Sequence, residues 1–167
     1  MNRSKNRSGA RAEKASQLRI IGGQWRSRKL SFNPAPGLRP TTDRIRETLF
    51  NWLDPVLAGA NCADLFAGSG ALGLEALSRD ASHCDFVDTS RAVKGQIEQH
   101  LETLRATSRG HCFSCSAEDY LNTPPSALDI VFVDPPFGKR LVEPACQALQ
   151  FSGALSPGAR IYIETAV

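Results

Sequence analysis

The chain has 167 residues, of which 41% are hydrophobic and 22% are charged, a composition typical of one globular domain. It contains no apolar run of about 18 residues, so we predict no membrane span. No apolar segment follows the basic N-terminus, as a secretory signal would require, so we expect a cytoplasmic protein and take it to be a monomer.

Positive charge is concentrated at the N-terminal end. Residues 1–52 carry twelve Lys and Arg but three Asp and Glu, whereas the rest of the chain carries eight against fourteen. Residues 1–17 are polar and basic, and we expect this tail to be disordered without a partner. Because the basic excess continues into residues with folded patterns, a polyanion such as nucleic acid is the predicted partner.

The segment after the tail predicts a β-hairpin and then a helix. Residues 18–21 and 28–32 have short strand patterns on either side of a glycine-rich turn. A proline-rich loop follows, after which Thr42 or Asp43 can cap a helix. We expect Pro55 to end that helix.

Strands and helices alternate through the remainder of a single domain, which we assign to residues 18–167, with 18–40 as hairpin and loop and 41–167 as core. The predicted core strands are residues 62–66, 83–88, 111–115, 128–133 and 159–164. Helical patterns separate them, including a long one that Ser90 can cap. This alternation predicts an α/β fold, a parallel, doubly wound sheet with helices on both faces.

The cysteines and histidines are predicted to be structural. Cys112 and Cys115 have the spacing of a zinc knuckle, but no second pair completes a site. We therefore expect buried reduced thiols and no metal. His83 and His111 begin predicted strands and His100 lies on the polar side of a helix, so none is assigned a catalytic role.

A glycine-rich turn follows the first core strand. Residues 68–73 form a GxGxxG pattern that begins with Gly68 and Gly70, at which the backbone can approach a ligand closely. Nicotinamide-binding and S-adenosylmethionine-binding folds share this pattern, and a tight turn without a ligand also fits it. Asp64 favours S-adenosylmethionine, because a carboxylate can pair with a cationic amino group but repels a pyrophosphate.

Two further candidates follow predicted strands, at the sheet edge where open α/β folds bind ligands. Asp88 can accept hydrogen bonds from a ribose diol, although a helix-capping acid is the simpler alternative. Residues 116–119 can contact an adenine ring, although an acidic helix start explains them nearly as well. Phe66 and Ala117 complete the predicted cofactor contacts.

The tetrad Asp-Pro-Pro-Phe at residues 134–137 is the most specific feature. Its prolines lack N–H donors, which leaves the Pro135 carbonyl free to accept beside the Asp134 carboxylate. Two acceptors can orient an exocyclic amino group of a base and favour a nucleophilic nitrogen. Phe137 offers a face on which the base can stack. We predict these three residues to be catalytic, with Asp134 also next to the cofactor.

The tetrad resembles the motif of amino-nitrogen methyltransferases with the class I, Rossmann-like fold. Residues 18–23, 25–28, 38–53 and 64–70 closely resemble the bacterial RsmD family of guanine-N2 methyltransferases that act on 16S ribosomal RNA. The resemblance implies S-adenosyl-L-methionine as cofactor and ribosomal RNA, or an assembling small ribosomal subunit, as partner. It implies cofactor roles for Asp64, Gly68, Gly70 and Asp88, and substrate roles for Asp134, Pro135 and Phe137.

Six residues of the basic half are predicted to lie against the RNA: Arg19, Arg26, Arg28, Arg39, Thr41 and Arg46. Two alternatives to the family's function stay open. One is a DNA adenine-N6 methyltransferase, which shares an Asp-Pro-Pro-aromatic motif, and the other is a non-catalytic RNA-binding assembly protein that kept the fold.

The class I sheet normally ends in an antiparallel hairpin after its fifth strand. The predicted fifth strand ends at Glu164, close to the last residue given. We therefore expect that final hairpin, on the order of 25–30 residues with its loops, to be missing and the core to be incomplete at its C-terminal end.

Overall fold

The computed structural model describes residues 15–34, 41–123 and 127–166. The strands are β1 (Ser16–Arg19), β2 (Lys29–Phe32), β3 (Asn61–Asp64), β4 (His83–Asp88), β5 (Gly110–Ser114), β6 (Leu128–Val133) and β7 (Leu155–Ile163). The α-helices are α1 (Asp43–Leu57), α2 (Ala71–Ser78), α3 (Arg91–Thr103), α4 (Ala117–Asn122) and α5 (Val142–Ser152). No helix within the described ranges has both the length and the apolar character that a membrane crossing needs.

Five strands form one parallel sheet in the order β5-β4-β3-β6-β7. The strand order reverses between β3 and β6, and such switch points are where open α/β sheets bind ligands. Strands β1 and β2 pair antiparallel as a separate hairpin. The predicted doubly wound sheet and N-terminal hairpin are therefore confirmed.

Apolar side chains cover both faces of this sheet. On one face, the hairpin and helices α1, α2 and α3 bury residues such as Phe50, and on the other, α4 and α5 bury residues such as Leu149. Alternate residues of β6 enter the two cores, Ile130 the first and Val131 the second. A strand that is buried on both faces carries a nearly continuous apolar run, interrupted in β6 by Asp129, which is why β6 has the bounds that its sequence predicts.

Helix α1 continues two residues beyond Pro55, so the prediction that this proline ends it is wrong. Pro55 lies in the last turn, where its missing N–H removes one hydrogen bond, and Leu57, 1% exposed, holds the helix end in the core. The start is as predicted, since the Thr42 hydroxyl accepts from the Ile45 N–H.

Strand pairing also makes two strands begin earlier than predicted. Strand β1 begins at Ser16, inside the predicted tail, because Ser16 pairs with Phe32. Strand β7 begins at Leu155 rather than residue 159, since a shift in its register against β6 lets the strand continue through Gly158, whose φ is +75°. The other core strands begin and end within two residues of their predictions.

The observed burial contradicts the prediction for one histidine and agrees with the prediction for three cysteines. His100 shares the buried stripe of α3 with Ile97 and is only 6% exposed, so its predicted place on the polar side is wrong. Cys62, Cys84 and Cys112 are free and buried, and desolvation raises the pKa of each thiol. Across the described ranges, no three His, Cys, Asp or Glu side chains form a group suited to a metal ion.

Candidate active site

A cavity of about 380 Å³ opens at the carboxyl ends of the parallel strands. Its walls come from the residues that follow β3, β4, β5, β6 and β7 and from the start of α1. The predicted residues that line it are Thr41, Asp64, Phe66, Gly68, Asp88, Ala117, Asp134, Pro135 and Phe137. The fold therefore brings most of the predicted cofactor and substrate contacts to one place.

The glycines of the loop after β3 set its backbone and its packing. Gly70 caps α2 in the left-handed conformation, with a φ of +82°, which other residues adopt at a cost. At Gly73, a Cβ atom would lie 2.3 Å from a ring carbon of Phe86 and 2.8 Å from Cys84 Sγ. Helix α2 therefore packs directly on β4, and Gly70 shapes the turn without lining the cavity.

Asp64 is a buried carboxylate with an incomplete set of hydrogen bonds. It is 1% exposed, and its Oδ2 accepts from the Gly73 N–H at 3.1 Å. Its Oδ1 forms no hydrogen bond of full geometry with the described residues. Burial, with smaller contributions from the charges of Asp134 and Asp88, raises its pKa to about 7, although the nearby Gly73 and Phe66 N–H groups lower it. Because an unpartnered buried oxygen costs about 1–3 kcal/mol, a ligand donor is expected here, and a cationic amino group fits.

Asp88 connects the glycine loop to the end of β4. Its Oδ2 accepts from the Gly68 N–H at 3.1 Å and its Oδ1 from the Ser90 N–H at 2.9 Å. Ser90 itself caps α3 through the Val93 N–H. Each carboxylate oxygen can accept a second hydrogen bond, so Asp88 can hold the loop and still bind a diol in the cavity.

The tetrad presents an acid and an aromatic ring to the same cavity. Asp134 is partly buried, and its Oδ2 accepts from the Thr41 hydroxyl at 3.0 Å. Burial, followed by the charge of Glu164 and a hydrogen bond between the two acids, raises the pKa of Asp134 to about 6, although the hydrogen bond from Thr41 lowers it. Pro135 is buried, whereas Phe137 is 50% exposed and leaves a ring face available for stacking.

Glu164 is a cavity residue that sequence reasoning missed. Its Oε2 lies 3.4 Å from the Thr41 hydroxyl and accepts from the Tyr162 hydroxyl at 3.2 Å. The available indication was its position, since it follows the last strand as Asp134 follows β6. The sequence alone does not show that these two strands are neighbours.

Arg46 has a different place from the predicted one at the RNA. Its side chain is 2% exposed and donates to the Thr41 carbonyl at 3.2 Å, the Arg19 carbonyl at 2.9 Å and Asp43 at 2.6 Å. The structure therefore gives Arg46 a positioning role that holds Thr41 at the cavity. Arg19 is half exposed and pairs with Asp43 at 3.0 Å, whereas Arg39 lies outside the described residues.

Arg26 and Arg28 are exposed in the turn of the hairpin, away from the cavity. The neighbouring Trp25 N–H donates to Ser78 at the C-terminal end of α2. Because α2 starts at the carboxyl edge of the sheet and leads back to the start of β4, this turn lies at the opposite, amino edge. An RNA contact of Arg26 or Arg28 would therefore be remote from the site.

The strand order, the glycine loop and the acids at the carboxyl edge together define a class I, Rossmann-like methyltransferase fold. A family model described as "Conserved hypothetical protein 95" matches residues 18–167. The chain belongs to this family, the RsmD family.

Named relatives of the chain lie in the same family. It is 50% identical over 153 residues to "Ribosomal RNA small subunit methyltransferase D" of Escherichia coli strain K12, across 92% of this chain and 77% of that protein. The Haemophilus influenzae protein of the same name is 45% identical over 152 residues, which cover 89% of this chain and 79% of that protein. A solved Escherichia coli structure shares 51% identity with a TM-score of 0.82 and covers 91% of this chain and 84% of its own.

Proposed function

We propose that the chain transfers a methyl group from S-adenosylmethionine to the N2 amino group of a guanine in 16S ribosomal RNA. The observation that carries this proposal is the position of Asp134, which begins the Asp-Pro-Pro-Phe turn inside a cavity that also contains the unpartnered oxygen of Asp64. The names of the relatives support ribosomal RNA as the substrate.

The proposed cofactor contacts follow the acids along the sheet edge. Asp64 would pair with the amino group of the methionine moiety, Asp88 would accept from the ribose diol, and Phe66 and Ala117 would lie against the adenine. When bound, S-adenosylmethionine supplies an electrophilic methyl group on a positively charged sulfur. Asp64 is 1% exposed, and its surroundings of low dielectric constant would strengthen its pairing with a cation.

The proposed substrate contacts belong to the tetrad. The Asp134 carboxylate and the Pro135 carbonyl would accept the two amino hydrogens of the base, which holds the nitrogen in place and favours its lone pair. Phe137 would stack on the extruded base. After methylation the nitrogen is strongly acidic, and Asp134 would receive its proton and pass it to solvent.

The basic N-terminal region would bind the RNA backbone. Twelve Lys and Arg occur in residues 1–52, and exposed cations that contact phosphates make affinity fall steeply with salt. These contacts position the RNA, whereas the tetrad selects the reacting group.

Calorimetry and methyl transfer test the proposal in two steps. We expect S-adenosylmethionine to bind the purified chain with one-to-one stoichiometry, and tritiated methyl to appear in 16S RNA or in small-subunit particles that lack the modification. Mass spectrometry of the digested RNA should locate the label at N2 of one guanine. Label in DNA adenine would support the adenine alternative, and RNA binding without cofactor binding would support an assembly protein.

A further inference from the structure

We propose that Glu164 determines base specificity: together with Asp134 it accepts the adjacent N1–H and N2–H donors of guanine. The pair would thereby reject any base with an acceptor at N1. This inference rests on the proposed function and names a recognition role for a residue outside the tetrad.

The sheet fixes Glu164 beside Asp134. Strands β6 and β7 are parallel neighbours with Val133 opposite Ile163, so the residues that follow them emerge side by side. The Glu164 N–H donates to the Val133 carbonyl at 2.9 Å, which continues the pairing as far as the tetrad. Both acids line the cavity, and their backbones are held by the strands rather than by a loop.

The side chains near Glu164 leave it with acceptor capacity to spare. The Thr41 hydroxyl lies 3.0 Å from Asp134 Oδ2 and 3.4 Å from Glu164 Oε2, but it has one hydrogen and can satisfy only one of them. The Tyr162 hydroxyl donates to the same Oε2 at 3.2 Å. Within the described ranges no cation forms an ion pair with Glu164, and the Asp134 carboxylate lies close enough to share a hydrogen bond with it, so two donors from a ligand would relieve the contact between the two acids.

Two neighbouring carboxylates match the donor pattern of guanine better than the patterns of the other bases. Guanine presents N1–H and N2–H donors side by side, whereas adenine places an acceptor, N1, next to its amino donor. A carboxylate that faces such a lone pair is repelled and loses its partner, and unpaired polar groups of this kind produce strong discrimination.

The test uses a base that keeps the reacting amine but changes its neighbour. Once the methylated guanine has been mapped, two RNA fragments are made, one with guanine and one with 2,6-diaminopurine at that position. Diaminopurine retains the N2 amine but has an acceptor at N1. We expect the wild-type chain to prefer guanine by about ten- to hundredfold in kcat/KM.

The substitution E164Q should relax this preference to about threefold or less. The glutamine amide can accept from guanine N1–H or rotate and donate to diaminopurine N1. Y162F, which removes one donor to Glu164, should move the preference in the same direction by a smaller factor. E143Q is the matched control, since Glu143 is exposed on α5 outside the cavity lining, and it should leave the preference unchanged.

Binding provides a readout that does not depend on turnover. The ratio of dissociation constants for the two RNAs, measured with S-adenosylhomocysteine present, should follow the kinetic ratio even if E164Q is inactive. An E164Q ratio equal to that of the wild type, or a wild type without preference, would overturn the role of Glu164 alone. Absence of methyl transfer to guanine by the wild type would overturn the proposed function as well.

Discussion

Glu75 and Asp64 are both almost fully buried, yet the donors around them differ. Glu75 on α2 is 0% exposed and accepts from the Ile21 and Gly22 N–H groups and from Arg79, each at 3.0 Å. Asp64, 1% exposed at the end of β3, accepts one N–H and leaves its Oδ1 unpartnered within the described ranges. Burial alone therefore does not distinguish a structural acid from a ligand-binding one, whereas the number of donors does.

The difference follows from what each acid connects. Glu75 joins the hairpin to α2 inside the protein, so the chain supplies its partners. Asp64 faces a cavity at the carboxyl edge, where a ligand can supply the missing donor. Substitution of Glu75, inside the protein, should therefore change stability. Substitution of Asp64 or Asp134, at the cavity, should change ligand binding or turnover.

The largest effect on activity is expected from D134A in the cavity. Loss of the acceptor for the amino group should reduce methyl transfer by about a thousandfold or more. Affinity for S-adenosylmethionine should change by less than about threefold, because Asp64 and Asp88 remain in place. Tritiated methyl transfer and calorimetry measure the two quantities, and normal turnover in D134A would exclude the assigned role.

E75A should lower the free energy of unfolding by about 3–5 kcal/mol, since it leaves Arg79 and two backbone N–H groups without their acceptor and removes the ion pair between Glu75 and Arg46. Urea denaturation measures this loss. The control is E143A on the exposed side of α5, which should stay within about 0.5 kcal/mol of the wild type. Equal losses in the two variants would contradict the comparison.

Unlike E75A, D64N should increase the stability of the protein. The pKa of Asp64 is raised in the folded state to about 7, so its contribution to stability is greatest below the unfolded pKa near 4 and is lost as the pH rises through 7. At pH 8 the neutral amide should therefore raise the unfolding free energy by about 2 kcal/mol. It should also weaken S-adenosylmethionine binding about tenfold or more, and a destabilised D64N would contradict the comparison.

The pH dependence of turnover tests the ionised state of Asp134. Because the pKa of Asp134 in the ligand-free chain is raised to about 6, kcat/KM for RNA should be constant above pH 7 and fall about tenfold per pH unit well below 6. E164Q removes a neighbouring charge that raises this pKa, so the fall should move to lower pH. A kcat/KM that is unchanged down to pH 5 would show that Asp134 need not be ionised.

The smallest effect is expected from the tail. Since β1 begins at Ser16, deletion of residues 1–14 leaves the hairpin intact and removes five Lys and Arg. RNA binding should weaken about three- to tenfold near physiological salt, with a shallower dependence on salt concentration. Filter binding at several salt concentrations measures both, and an unchanged slope would mean that the tail does not contact phosphates.

Most of the fold was predictable because local patterns and tertiary burial agree. Strands β4 and β6 have their predicted bounds, since their apolar runs end at polar residues that leave the core. The predictions failed where a distant partner decides the outcome. Leu57 holds α1 together beyond Pro55, and the register of β6 against β7 determines where β7 begins.

The candidate site was likewise predictable where its residues follow recognisable strands, and not where they depend on tertiary neighbours. Asp64, Asp88 and Asp134 each follow a recognisable strand, and all three line the cavity. Glu164 depends on which strands are neighbours, which the sequence does not show. Arg46 was misassigned because a count of charges does not indicate that a side chain is 2% exposed and fully engaged within the chain.

Gly73 has a mechanical consequence for this molecule. The residue sets the distance of α2 from β4, and its N–H holds one oxygen of Asp64. The floor of the cavity is therefore continuous with the closely packed layer between α2 and β4 and shares its stiffness. A ligand that enters meets a surface already fixed in shape, so little ordering entropy is lost on binding, and a single added methyl group at residue 73 would disturb the core and the site together.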